Sequence, residues 1–333
     1  MKLKCLIVVV MCLVVRAEEE EKKDHNGPQH KALCHLMKAA VGKWGTSGEG
    51  LSDPLKKALG RTIFGSESGG TLEALKDLPS DYTERGAIRG NFCGQPYEDP
   101  TFYSAPHRWS GYSAPHNLVC LCTKGENGWP VNSSDNQDTL CGKTRDALGG
   151  GNKGWTGNNT GQAEMEATWK EVVTHCLKGE TGGDLKGALS TFLGKLEHKP
   201  ETANPNRYQL GEGKPTDWSA CDGTSTLGVC VMYYNSTNPT KPQPWWVDLE
   251  RAIPEDEKFQ KQREEEQRRN QQQEAAKKDT NKTEDLKSGP QTKNQTKESR
   301  NDNLTEKVRK LNLASGTLIT QPSSWLLSVV FLI

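Results

Sequence analysis

Apolar positions along the chain fall into four helical stripes. Leu33, Leu36, Met37, Ala40, Val41 and Trp44 recur at i, i+3, i+4, i+7, i+8 and i+11, which is one face of a helix. Leu55, Ala58, Leu59 and Ile63 make a second stripe, opened by Ser52-Asp53-Pro54 with proline at the first helical position. Met165, Trp169, Val172, Val173 and Cys176 make the third, and Leu185, Ala188, Leu189, Phe192, Leu193 and Leu196 the fourth. Such stripes build cores or subunit interfaces, so the pattern predicts a helical bundle, with pairing between copies as one way to cover it.

Between residues 86 and 160 the periodicity fades. This stretch is rich in Gly, Pro, Asn and aromatic residues and carries a short repeat, Tyr103-Ser-Ala-Pro-His107 and Tyr112-Ser-Ala-Pro-His116. The repeat is too short for a solenoid unit. Asn117 to Cys122 reads as a short strand within a loop-rich region. On a strand, Cys120 and Cys122 would share a face two residues apart, too strained to bond to each other, and so would take different partners.

A second change comes near residue 250. From Glu250 to Lys310 there are 16 basic and 14 acidic side chains, no cysteine and a single aromatic residue, Phe259. Such a segment cannot bury a core. Gln260 to Lys278 contains only helix-compatible residues with interleaved charge, which predicts a solvated helix; beyond Asp279 the residues favour an extended chain.

Both ends carry apolar segments. Lys2 and Lys4 precede the run Cys5–Val15, and Val15-Arg16-Ala17 offers a cleavage site, the order of a secretory signal peptide over residues 1–17. The run is too short to cross about 30 Å of hydrocarbon. At the other end, Ala314-Ser315-Gly316, a mild spacer and the tail Trp325–Ile333 follow the order of a glycosylphosphatidylinositol (GPI) attachment signal. Ser315 is the expected attachment residue, with Gly316 and Ala314 as alternatives. The domains expected are therefore a signal peptide at 1–17, a helical N-terminal domain at 18–253, a charged spacer at 254–315 and a removed tail at 316–333.

That topology gives the cysteines their meaning. Of the 10 in the chain, removal of Cys5 and Cys12 leaves Cys34, Cys93, Cys120, Cys122, Cys141, Cys176, Cys221 and Cys230. In an oxidising compartment this even set predicts disulfides, and on the order of a hundred pairings are open. Six sequons are expected to lie on the surface: Asn132, Asn158, Asn235, Asn281, Asn294 and Asn303.

Candidate chemistry is sparse. His107, His116, Cys120 and Cys122 are the residues to weigh as a zinc set, but Cys-x-Cys has the wrong ligand spacing and the compartment is oxidising. Cys176 beside His175 meets the same objection as a nucleophilic pair. No esterase elbow, zincin helix or phosphate loop is present. Neither cofactor nor metal is expected, nor an enzyme. With Lys+Arg 43 and Asp+Glu 43, the chain also lacks the positive excess that general nucleic-acid binding uses.

The chain resembles the trypanosome variant surface glycoproteins, of the shorter type with a B-type-like N-terminal domain. The carrying residues are Asn91-Phe-Cys93-Gly, Trp109 to Cys122, Gly125-Glu-Asn-Gly-Trp129-Pro, Leu140-Cys141-Gly and the Trp169–Cys176 helix, together with the order of terminal signals. One departure is the cysteine-free stretch 255–313, where many members carry a small disulfide-bonded domain. The resemblance implies a mainly α fold: an elongated helical bundle or coiled coil with a disulfide-stapled, loop-rich head and a charged, partly disordered C-terminal spacer. It further implies a homodimer, GPI-anchored in the outer leaflet of the plasma membrane. Packed as a coat, it would shield the membrane and vary to escape host antibodies. A GPI-anchored receptor for a host nutrient or serum protein on the same scaffold is the alternative.

Overall fold

The computed structural model describes residues 22–83, 87–97, 108–132, 137–157, 160–179, 182–238 and 240–284, with side chains to residue 277. Helix α1 (Gly27–Trp44) begins after Asn26, whose backbone is left-handed, with Pro28 in the first turn. The Asn26 side chain is buried and donates to Leu121 O at 2.9 Å and Val229 O at 2.7 Å, while its Oδ1 accepts from Glu212 N. One short amide thus fixes the start of α1 against three other segments. The stripe read from the sequence is the face that α1 buries.

Helix α2 (Asp53–Phe64) and two short helices, α3 (Arg89–Gly94) and α4 (Ala114–Cys122), follow. Helix α4 corrects the strand expected over Asn117–Cys122. It is capped by Ser113, has Pro115 in its first turn, and buries all nine of its residues. A helix buried on every side has no polar face, so its sequence shows no 3.6-residue period. The helical geometry also changes the cysteine argument: residues two apart on a helix point to different sides.

The third stripe forms α5 (Gln162–Thr168), a π turn (Trp169–Val173) and α6 (Thr174–Cys176) in succession; the fourth forms α7 (Leu185–Leu193). Helix α1 packs against α7, α2 and α4. Two small sheets complete the unit. Strand β1 (Asp24–His25) pairs in parallel with β2 (Thr139–Leu140). Strands β3 (Glu197–His198), β4 (Arg207–Glu212) and β5 (Val229–Tyr234) are antiparallel in that order, with Leu210 opposite Val231. Strand β5 is buried throughout and packs on α4.

Helix α8 (Trp245–Glu284) is longer than the 260–278 helix expected and passes Asp279, where an extended chain was expected. Its first turns are core: Trp245, Trp246, Val247, Leu249, Ala252 and Ile253 are buried. Core contacts continue past the compositional boundary. Asp256 is 4% exposed, accepts from Ser52 N at 2.7 Å and faces Lys43 Nζ at 3.6 Å. Gln260 and Arg263 both donate to Gly50 O. The chain divides into a unit ending at Arg269 and a second beginning at Asn270. In the second, residues 270–284 are helical and side chains 270–277 are exposed.

Candidate functional site

Four disulfides run through the first unit. Cys34 of α1 bonds Cys176 of α6, Cys93 of α3 bonds Cys120 of α4, Cys122 of α4 bonds Cys141, and Cys221 bonds Cys230 of β5. Helix α4 is therefore stapled on two sides. The linked residues are 142, 27, 19 and 9 positions apart. In the chain-entropy account, closing the longest loop removes the most freedom from the unfolded chain.

Three buried polar residues organise the loops around α4, and sequence patterning had singled out only His116 among them. Arg89 is fully buried. Its Nη1 donates to Thr123 O, Lys124 O and Trp155 O at 2.9–3.2 Å, and its Nη2 to Cys120 O at 2.5 Å. A cation thus sits on the carbonyl end of α4, where the helix dipole favours it. Burial lowers its pKa to about 9, which leaves it charged at neutral pH. The chain crosses itself closely here: a Cβ at Gly125 would stand 1.9 Å from Gly223 O, so only glycine fits.

Asn117 is likewise fully buried. Its Nδ2 donates to Ser110 O at 2.6 Å, and its Oδ1 accepts from Tyr233 O–H at 2.8 Å and Trp245 Nε1–H at 2.7 Å. This side chain joins α4, the preceding loop, β5 and the start of α8.

His116 accepts from the Tyr82 hydroxyl at Nδ1 (2.6 Å) and donates from Nε2 to Phe92 O (2.9 Å). Burial first, and then the charge of Arg108, lowers its pKa to about 3, so it is a neutral structural imidazole. Of the set weighed as zinc ligands, His107 lies outside the described residues, and Cys120 and Cys122 are in separate disulfides. The described residues do bring His30, Cys34 and Cys176 together. Both sulfurs there belong to one disulfide, so neither is a thiolate ligand. The same bond occupies the Cys176 that was weighed as a nucleophile beside His175.

The expected glycan and anchor positions divide differently. Asn132 is exposed, and Asn235 is half-buried directly after β5. The backbone of Asn281 is within α8. Asn158, Asn294 and Asn303 lie outside the described residues, as do residues 1–17 and Ala314, Ser315 and Gly316.

Among the described residues, recesses open on the surface. One, of about 210 Å³, lies between α2 and α8, where Arg61 is paired with Asp248. Another, of about 450 Å³, adjoins the β3–β5 sheet and Trp129. Among the described residues, no helix is long and apolar enough to cross a membrane.

Residues 37–275 match the family model described as the trypanosomal VSG domain, VSG being variant surface glycoprotein. Over 155 residues the chain is 27% identical to variant surface glycoprotein YnAT 1.3 of Trypanosoma congolense. That alignment takes in 44% of this chain and 35% of the relative, so the chain spans about a third of the relative's length.

Proposed function

The chain belongs to the trypanosomal VSG domain family, and we propose that it is a GPI-anchored coat glycoprotein of the cell surface. The observation that carries the reading is the family match, which takes in most of the stapled unit, from residue 37, and the first part of the charged helix. In this reading residues 1–17 direct secretion, 18–253 form the outward domain, 254–315 are the spacer and 316–333 are exchanged for the glycolipid at Ser315, with Gly316 and Ala314 as alternatives. Two acyl chains make a stable anchor where one would be marginal. Copies pair as homodimers and pack into a layer that keeps host antibodies from the membrane. Sequence variation in the exposed loops then changes what antibodies see, because the four disulfides and the buried hubs hold the framework without them. Glycans on the sequons widen the shield. The protein acts by occupying surface, not by catalysis.

The reading is tested on intact cells by surface biotinylation, counting copies per cell, followed by phosphatidylinositol-specific phospholipase C. The expected result is a dominant surface protein released by the lipase. A sparse protein would overturn the coat reading in favour of a receptor. A dominant protein retained after the lipase, with no inositol glycolipid detected by mass spectrometry of its C-terminal peptide, would overturn the anchor.

A further inference from the structure

We propose that the 450 Å³ recess beside the β3–β5 sheet is a saccharide-binding site for an N-acetylhexosamine unit. Its lining includes Trp129, Gln29, Glu197, Gln209, Lys214 and Thr226. The volume lies in the ordinary range of small-ligand sites, roughly 300–1,000 Å³.

Two observations point to a ligand and to its chemistry. The first is an unserved acceptor. Gln209 is only 2% exposed, and its Nε2 is fully used, donating to Gly211 O at 2.9 Å and Gly213 O at 3.0 Å. Those bonds fix the amide so that Oε1 has no partner. A buried acceptor without a donor is costly, and a ligand lining up an N–H or O–H here removes that cost. An anion such as phosphate or sulfate brings acceptors and would also meet Glu197.

The second observation is a pre-set aromatic. Trp129 is half-buried, and its ring lies 6.2 Å from the ring of His25, tilted by 58°. His25 is itself held from both sides, by Glu212 at 2.7 Å and Asp138 at 3.6 Å. An indole fixed in this way presents apolar area with little entropy left to lose. A pyranose ring has a flat C–H face to set against an indole and hydroxyls at its rim. The rest of the lining suits those hydroxyls, with acceptors at Glu197 and Thr226 and donors at Gln29 and Lys214. An acetamido N–H supplies the donor that Gln209 lacks.

Two sources can deliver this sugar. Asn132 is exposed and three residues beyond Trp129, so its Cα is within about 11 Å of that of the tryptophan. N-linked glycans begin with two N-acetylglucosamine units, which puts the chain's own glycan within reach if the sequon is used. A glycan from another molecule is the other source. The proposal stands apart from the coat reading, since it uses only the recess and the sequon.

The test uses the full-length protein purified from its own cells, intact and after enzymatic removal of N-glycans, titrated with N,N′-diacetylchitobiose. Saturation-transfer NMR reads the sugar and tryptophan fluorescence reads the protein. Binding to the deglycosylated protein only assigns the recess to the chain's own glycan; binding to both forms assigns it to a foreign one, and either result supports the site. Gln29→Ala and Trp129→Ala should each weaken binding, the tryptophan change by about tenfold or more. Gln29 is half-buried in the first turn of α1 and outside the core, and alanine is a good helix former, so its variant keeps the assay valid even if Trp129→Ala fails to fold. Absence of binding in both forms overturns the proposal, as does binding that Gln29→Ala leaves unchanged.

Discussion

Replacing Asn117 by leucine keeps the branched outline of the side chain, though with more bulk, and removes three hydrogen bonds at once. The Tyr233 hydroxyl, the Trp245 indole N–H and the Ser110 carbonyl all lose their partner in a place without water access, since Ser110, Tyr233 and Trp245 are all buried. An orphaned buried polar group costs about 1–3 kcal/mol. Three of them, partly relieved by local adjustment and by the apolar gain of leucine, sum to about 3–6 kcal/mol. That is a large share of a domain stability of about 5–15 kcal/mol. The midpoint of thermal unfolding should fall by roughly 6–24 °C for a unit of this size. Tyr233→Phe removes only one donor and leaves Trp245 on Asn117, so it should cost about 1 kcal/mol. The double variant should then be more stable than the sum of the two single losses, because the orphaned tyrosine hydroxyl is gone. Urea unfolding of the four proteins with disulfides intact gives the cycle. A loss below about 1 kcal/mol for Asn117→Leu would refute the idea that this amide organises the region.

Further outcomes follow from the same framework. C34A/C176A opens a linkage between residues 142 apart, whereas C221A/C230A opens one of 9, so loop entropy predicts losses of about 5 and 2.7 kcal/mol and a larger fall in urea midpoint for the first pair. Acid should destabilise the unit. His116 has a pKa of about 3 when folded and 6.5 when unfolded, so its contribution is complete above 6.5 and is lost as pH falls from there toward 3. Between those values the unfolded chain binds the extra proton, and the loss reaches about 2 kcal/mol near pH 5. The groups facing the ring are Tyr82, Tyr112, the Phe92 carbonyl, the disulfide-bonded Cys120 sulfur and Arg108; His116→Gln should flatten the acid slope in urea titrations from pH 7.5 to 5. Asp256→Asn weakens the charge-assisted bond to Ser52 N and the pairing with Lys43, at about 1–2 kcal/mol, and should speed hydrogen exchange at the Ser52 amide.

Legibility in the sequence tracks one physical condition: whether a segment has a wet side. Helices α1, α2 and α7 each bury one face and expose another, and their stripes are visible as a period. Helix α4 and strand β5 are buried on all sides, so Ala114–Cys122 and Val229–Tyr234 show no alternation of wet and dry positions, and periodicity cannot tell helix from strand there. The start of α8 was obscured for another reason. Its core residues Trp245–Ile253 abut a highly charged stretch, and composition placed a boundary where the backbone continues as one helix.

The buried polar residues were hidden more deeply, and they matter most for how the surface can vary. Nothing in the neighbourhood of Arg89, Asn117 or Asn26 distinguishes them from solvent-facing loop residues, because their partners are mostly backbone groups and, apart from Ser110 at 7 positions from Asn117, lie 31 to 203 positions away. A carbonyl is available from every residue type. Hubs of this kind therefore constrain the donor and leave the identity of most acceptor residues free. Arg89 takes the carbonyls of Cys120, Thr123, Lys124 and Trp155; where these residues are restricted it is by their own side chains, Cys120 through its disulfide, Lys124 through its bond to Gly150 O and Trp155 through its indole bond to Ala87 O, and not by Arg89. Under the proposed coat reading, a framework held by four disulfides and by side chains that grip backbone suits an exposed sequence that changes while the fold does not.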